Sequence, residues 1–344
     1  STMENGLRDG PATFPSLKED TKRRAMVAPL ITVSVPTYRR PSLLLQCLHS
    51  VFQQDYRPLE IDVSDNSSTD EAEQLIAGLT PPEGITIRYW RNVPASNLVG
   101  NINKLFAEAR GERLLVLHDD DALLPGAIEA LDEAYRSSPD VICAYGIQEC
   151  ITPFGMISPK DTETHSKVGN RTSEYSGLHY DLLVRALWRQ VPCDGFLIDT
   201  RAARQIGYRS MELVGLQLDT DFGIRLSQAF PGKAFYFVDR KTSLYRLSPE
   251  GLRETGANVS SKIYDVLEAL PNLSPAEMAA RDRLMHQIAA ESVVEHAMSR
   301  RRKKALHIFF SRYYRQGQSL MKSAYHLGLI ATPRLRAVRY IRSA

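Results

Sequence analysis

The sequence predicts an α/β protein built on a doubly wound, mostly parallel sheet, with a helical C-terminal region. Three observations predict it. Short β-branched runs alternate with segments whose apolar residues recur at helical spacing between Ile31 and Tyr145. The polar stretches PTYRR, DNSSTD and HDDD each follow directly on such a run, and a parallel sheet collects the ends of its strands at one edge, where ligands bind. After Pro249 the pattern becomes helical only.

Each element has its own signal. ITVSV (Ile31 to Val35) is the first strand, and Leu44, Cys47, Leu48 and Val51 give the next helix one apolar face. EIDVS (Glu60 to Ser64) is the second strand; Ser68 and Glu71 have capping-box spacing ahead of Ala72, Leu75, Ile76 and Leu79. ITIRYW (Ile85 to Trp90) precedes a helix marked by Leu98, Ile102, Leu105, Phe106 and Ala109. RLLVL (Arg113 to Leu117) is nearly all apolar, as a strand covered on both faces must be. A helix with Leu124, Ile128, Leu131 and Tyr135 leads to VICAY (Val141 to Tyr145). Residues 146–177 are rich in Gly, Pro, Ser and Thr and predict a long loop. DGFLIDT and AFYFVD predict further strands, and LDTDFGIRLSQA a helix between them. Ser274, Pro275 and Glu277 form a helix start, followed by Ala280, Leu284 and Ile288 at four-residue spacing.

Composition sets the bounds. At 344 residues and 43% hydrophobic the chain is globular rather than disordered, with residues 1–28 expected to be a loosely held leader. No apolar run approaches a membrane-spanning length and no basic-then-apolar order opens the chain, so a cytoplasmic protein is expected. Cys47, Cys143, Cys150 and Cys193 have no C-x-x-C spacing and read as reduced, mostly buried thiols. Asn170-Arg171-Thr172 matches a glycosylation acceptor, read here as chance. The net charge of +3 hides an asymmetry: no acidic residue follows Glu295, while twelve Lys and Arg do, leaving −9 for the rest.

Asp119, Asp120 and Asp121, at the tip of the fourth strand, form an oxygen-rich site suited to Mg²⁺ or Mn²⁺. Two other readings compete: an Asp-rich N-cap for the helix entered through Pro125, and a phosphoryl-acceptor site, which needs a partner lysine and a shorter domain. Asp65, after the second strand, can accept a hydrogen bond from a ring N–H such as that of uracil, with Thr37 and Tyr38 on the other side of a flat base. An ordinary strand-to-helix turn would use the same residue types.

The stretches ITVSVPTYRRPSLLLQCLHSVFQQDYRPLEIDVSDNSSTD, SNLVGNINKLFAEARGERLLVLHDDDALLPGAIEAL and LDTDFGIRL, in this order and at these separations, resemble the GT-A glycosyltransferases of family 2. These are inverting, nucleotide-sugar-dependent enzymes, and the similarity runs from about Ile31 to Arg246. The resemblance implies a Rossmann-like GT-A catalytic domain over 29–248, with a nucleotide-sugar half (29–145) and an acceptor half (146–248), followed by the basic helical region 249–344. It assigns Pro36, Thr37, Tyr38 and, in the same loop, Arg40 to the nucleotide, and Asp65 to uracil. Asn101 and Asn103 match polar positions near the sugar or diphosphate; Asp119 matches the ribose- or metal-side aspartate, and Asp120 and Asp121 complete the metal motif. Asp219 matches the general base, which takes the acceptor proton opposite the departing diphosphate; without the resemblance it reads equally well as a helix cap with Asp221. The chain departs from the pattern at Arg39, where Asn is common, and at Leu218, where Glu is. It also departs at Tyr245-Arg246-Leu247-Ser248, which lacks the histidine of Y-R-x-H. His118 or a water is the expected substitute, and Arg246 is expected at the diphosphate or as a surface charge.

In the tail, Leu306, Phe309, Phe310 and Tyr313 would share one helical face and Arg301, Lys304, Arg312 and Arg315 the other. This predicts residues 300–342 either on an anionic membrane surface or packed on the catalytic domain. Nucleic acid is not expected, because the aromatics form one stripe. The resulting expectation is a metal-dependent, inverting transfer from a UDP-sugar to a hydroxyl of a glycan or lipid-linked acceptor in cell-surface polysaccharide synthesis, in the cytoplasm or peripheral on the inner membrane face. The alternatives are a soluble secondary metabolite as acceptor, and a non-catalytic nucleotide-sugar-binding protein on the same fold.

Overall fold

The computed structural model describes residues 28–247, 261–315 and 318–332. The expected leader up to residue 27, Ser248 and the four last arginines of the tail lie outside the described residues.

The first half alternates as its sequence dictates: β1 (Ile31–Thr37), α1 (Pro41–Phe52), β2 (Leu59–Asp65), α2 (Glu71–Ala77), β3 (Ile85–Arg91), α3 (Leu98–Glu108) and β4 (Arg113–Val116). β2 pairs in parallel with both β1 and β3, and β1 with β4. A two-residue strand, β5 (Ala122–Leu123), then precedes α4 (Ala127–Arg136) and β6 (Val141–Ile151). The second half adds α5 (Pro159–Val168), β7 (Gly177–His179), α6 (Leu182–Leu187), β8 (Phe196–Asp199), α7 (Thr200–Ile206), α8 (Met211–Val214), α9 (Leu218–Ala229) and β9 (Ala234–Arg246). The described strands form one mixed sheet in the order β3-β2-β1-β4-β8-β6-β9-β5, with β7 on β9. β8 runs antiparallel between β4 and β6, so the residues entering β8 lie at the edge where β4 ends.

Alternation along the strands feeds two cores. Val33 and Val35 of β1 and Leu115 next to β4's end pack under α1 and α4 with Leu44, Leu48, Ile128 and Leu131. Leu114 and Val116 of β4 point to the other face, against Ile102 and Phe106 of α3 and Phe222 of α9. α10 (Ser261–Glu268), α11 (Pro275–Met298), α12 (Arg302–Phe310), α13 (Arg312–Arg315) and α14 (Leu320–Ala331) make a third core. That core includes Val184 and Leu187 of α6 and Ile224 of α9, so the helical region is seated on the sheet domain.

Four expectations change. The helix expected from Leu124 starts at Ala127, because Leu123 pairs with Ser243 of β9 as β5. The loop expected over 146–177 is largely structured: β6 continues to Ile151 along β9, and α5 follows. Ser68 caps nothing; the N-cap of α2 is Asp70, without a side-chain cap bond. In the tail, Ser311 takes an extended conformation and ends α12, so Leu306 to Tyr313 is not one helical face. Its buried residues are Ala305 and Ile308, and Lys304 and Arg312 pair with Glu268 and Asp282. The Ser274 signal holds as a complete capping box on α11, and the cysteines are free, three of them buried.

Candidate active site

The acidic loop follows from where β4 ends. Leu117 still bonds to β1, and the chain then turns so that the Asp121 N–H reaches the His118 carbonyl. None of the three aspartates caps α4, whose N-cap is Gly126. Asp119 turns toward the loop after β1: its Oδ2 accepts from the Thr37 hydroxyl at 2.7 Å and the Tyr38 N–H at 3.3 Å. Arg40 supplies the positive charge the cluster requires, 2.6 Å from Asp120 and 3.4 Å from Asp119. Burial raises the Asp119 carboxyl, partly offset by the Thr37 bond. Asp121 turns inward and accepts from the Arg246 N–H at 2.6 Å. The Arg246 guanidinium holds the Asp120 carbonyl at 2.8 Å, Pro153 at 3.1 Å and Gln46 at 3.2 Å. It braces the loop through these three bonds.

Asp219 lies in the first turn of α9, behind the N-cap Gln217, and accepts from the Tyr208 hydroxyl at 2.8 Å. Burial lifts its carboxyl from 3.8 to about 6, against the pull of Tyr208 and His118. Asp221, its neighbour on the helix, is held by Arg209 and Arg225. The two aspartates thus divide their work, one structural and one with an ionisable group tuned toward neutrality. His118 lies 3.8 Å from Asp121 and 3.9 Å from Asp194. Burial opposes its charged form, but the carboxylates of Asp194, Asp120, Asp219 and Asp119 prevail and raise it.

Pro36 and Thr37 end β1, and Tyr38 and Arg40 follow in the loop toward α1. Arg39 carries φ +55°, a left-handed conformation that Asn adopts readily, and stacks on the half-exposed Tyr38. Asp65 is fully buried; it accepts from the Ser67 N–H at 2.7 Å and the Tyr89 hydroxyl at 2.9 Å, leaving further lone pairs on each oxygen. Asn101 and Asn103 are not brought to the acidic loop. Asn101 accepts from Asn92 at 3.1 Å, and Asn103 clamps the backbone of Tyr208 through both amide atoms. Asn103 therefore fixes the tyrosine that holds Asp219.

Sequence reasoning missed Asp194. It enters β8 next to Gly195, whose N–H bonds to the Val116 carbonyl at 2.7 Å and whose φ is +71°. A Cβ on Gly195 would lie 2.8 Å from the Ser243 hydroxyl, so only glycine lets the chain approach closely enough to put Asp194 beside His118. Asp194 accepts from the His118 N–H at 3.0 Å and from Gln148 at 2.5 Å, and Gln148 is held in turn by His165 at 3.0 Å. The only sequence signal was an Asp-Gly pair at a strand start, which turns use everywhere.

Side-chain donors of His118, Asp120 and Asp121 lie within 4.8 Å of one another, as do those of His118, Cys193 and Asp194. Buried carboxylates beside an imidazole and open to Asp120 fit a divalent cation. Asp119, engaged by Thr37 and Tyr38, lies on the nucleotide-loop side of that set.

Residues 32–183 match the sequence model of the family described as glycosyl transferase family 2. Over 104 residues the chain is 36% identical to the GalNAc(5)-diNAcBac-PP-undecaprenol beta-1,3-glucosyltransferase of Campylobacter jejuni, covering 30% of this chain and 33% of that protein. The matches span about a third of the length of the first curated relatives, 35% and 33%. Two solved structures are similar in fold. The mannosyltransferase PcManGT of Pyrobaculum calidifontis, in complex with GDP-Man and Mn²⁺, gives a TM-score of 0.57 at 14% identity, covering 92% of this chain and 84% of that one. TarS 1-349 of S. aureus in complex with UDP gives 0.51 at 18% identity, covering 90% and 82%.

Proposed function

We propose that the chain, whose residues 32–183 match the sequence model of glycosyl transferase family 2, is a glycosyltransferase that moves a sugar, with inversion and with a divalent cation, from a UDP-sugar to an acceptor hydroxyl. One observation carries the reading: the carboxylates of Asp119, Asp120 and Asp219 are all near enough to His118 to favour its charged form, while Asp219 itself is held by Tyr208 and the acidic loop by Thr37 and Arg40. Inverting transfer needs carboxylates on opposite sides of the sugar, one set for the diphosphate end and one for the acceptor. Within a catalytic domain taken as 29–248, Asp120 and Asp121 with His118 would hold the cation, and Asp119 with the Thr37 loop the ribose side of the nucleotide. When bound, Mn²⁺ or Mg²⁺ neutralises charge developing on the diphosphate. Arg40, already on Asp119 and Asp120, is placed to share a phosphate.

Asp219 then accepts the proton of the attacking hydroxyl. Tyr208 orients it, and its raised pKa keeps it basic enough to do so near neutrality. UDP is argued from Asp65, whose buried carboxylate is an acceptor for the ring N–H of uracil.

A lipid-linked glycan is the proposed acceptor, as in the name of the Campylobacter relative. Among the described residues no helix is long and apolar enough to cross a membrane. Leu320 and Met321 are 91% and 82% exposed at the start of α14, close in sequence to Lys322 and Arg315. That combination supports contact with an anionic membrane surface.

The test is UDP release from a panel of UDP-sugars with Mn²⁺. Slow hydrolysis of one donor, accelerated by a lipid-linked acceptor and lost in Asp219→Asn, is expected. Tight UDP binding with no turnover of any donor would instead favour a binding protein, and preference for GDP would remove the role given to Asp65.

A further inference from the structure

Asp121 and Asp194 are 2% and 0% exposed, and both carboxylates face the His118 imidazole. Among the described residues their ion-pair partner is His118 alone, and at long range: its Nδ1 lies 3.8 Å from Asp121 Oδ2 and 3.9 Å from Asp194 Oδ2. Two buried like charges around one imidazole are retained only where a cation or a proton joins them. One ring nitrogen beside two carboxylates is a donor set of the kind that holds a transition ion, and His118 is common to two sets of donors that lie within 4.8 Å of one another, one with Asp120 and Asp121 and one with Cys193 and Asp194. Donors about 2.1 Å from a shared ion stand roughly 3–4 Å from each other, and both separations fall in that range.

We propose that Asp194 and His118 complete the divalent-cation site, replacing the ligand that the missing histidine of Y-R-x-H would supply, and that the imidazole makes the site select Mn²⁺ over Mg²⁺. The proposal rests on the glycosyltransferase reading for the diphosphate that the ion would hold. Its ligands are fixed from behind. The His118 N–H and Gln148 hold the Asp194 carboxylate, His165 holds Gln148, and the Arg246 N–H holds Asp121. Such outer partners set ligand orientation and affinity. The replacement also comes from a different element. Residue 248 follows β9, whereas Asp194 enters β8, which pairs with β4 on the strand edge that carries the acidic loop. Mg²⁺ takes oxygen ligands in a strict octahedron, and a nitrogen donor favours a transition ion. Cys193, whose sulfur also lies near His118 and Asp194, is outside the proposed shell.

The test titrates the full chain with MnCl₂ alone, read by calorimetry and by the EPR signal of free Mn²⁺. Asp194→Asn keeps an oxygen for the His118 N–H and removes the charge. It is expected to weaken Mn²⁺ at least tenfold and to narrow the Mn²⁺ preference over Mg²⁺ less than His118→Gln does. Metal-free UDP binding is expected to stay as in the parent, and the metal-free variant is expected to melt no lower than the parent, since a buried like charge has been removed. Mn²⁺ affinity unchanged in both variants overturns the proposal. So does a Co²⁺ complex whose spectrum carries a thiolate charge-transfer band that Cys193→Ser removes. The two readings fail separately. A chain that cleaves UDP-sugars but binds Mn²⁺ without Asp194 loses only this ligand set. A chain that binds Mn²⁺ through Asp194 but neither binds nor cleaves UDP-sugars loses the function.

Discussion

At the scale of the residue, burial of Asp219 governs both its chemistry and its cost. Asp219→Asn is expected to lower kcat by roughly 10²–10⁴ with little change in UDP binding, measured by steady-state kinetics and calorimetry. In the parent enzyme kcat/KM should rise with pH through about 6, where the buried carboxyl loses its proton. The stability effect has the opposite sense. A carboxyl raised from 3.8 to about 6 binds its proton more tightly in the folded state, so its contribution is greatest below 3.8 and is lost as pH rises through about 6. Asp219→Asn should therefore melt like the parent near pH 3.5 and be more stable than it above pH 6.5, by no more than about 3 kcal/mol. Equal melting differences at both pH values would show that the carboxylate is not desolvated. Asp219 was legible in the sequence only through its resemblance, because an aspartate at a helix start has a commoner explanation.

At the scale of the element, β2 and β3 carry a buried charge ladder away from the site. Arg88 of β3 lies 2.6 Å from Asp62 and 2.9 Å from Glu60, both on β2 and both buried. Parallel register places Asp62 opposite Arg88, so the pair is fixed by strand alignment. Burial raises the Asp62 carboxyl to about 6 despite the Arg88 bonds. Arg88→Met leaves both carboxylates without their main partner and is expected to cost about 3–5 kcal/mol at pH 7.5. The loss should shrink as pH falls toward about 6, because without Arg88 the Asp62 carboxyl is raised further and takes its proton above that value; urea midpoints at pH 7.5 and at about pH 6 measure it. The strands and the capping box of α11 were readable from local pattern. The segment 146–177 was not, because β6 is extended by pairing with β9, nearly a hundred positions later, and composition carries no trace of that partner.

At the scale of the whole molecule, the helical region shares its core with α6 and α9. Ending the chain near Glu295 would strip Ala305, Ile308, Tyr314, Leu329 and Ile330 from that core, so the truncated protein is expected to lose stability along with any membrane contact. Surface changes separate the two effects. The full chain should sediment with anionic vesicles at low salt and much less at high salt. Leu320→Ser with Met321→Ser, and separately Arg302→Glu with Lys303→Glu, should abolish sedimentation without moving the melting temperature, since all four side chains are exposed. Vesicle binding that survives both double substitutions would locate any membrane contact elsewhere.

The sequence by itself determined the alternation of strands and helices, the edge where the polar loops meet, and the aspartates that stand there. Each of these is a local property: apolar period, cap chemistry, or the residues that directly follow a strand. Only the tertiary structure decided which of those side chains act together. It turned Asp119 to the Thr37 loop and Asp121 inward, set Asn103 behind Tyr208, made Arg246 a brace, and brought Asp194 to the acidic loop. The physical reason is that β8 inserts antiparallel between β4 and β6. That insertion joins residues 76 positions apart, as in the His118–Asp194 bond, a pairing that no local pattern encodes.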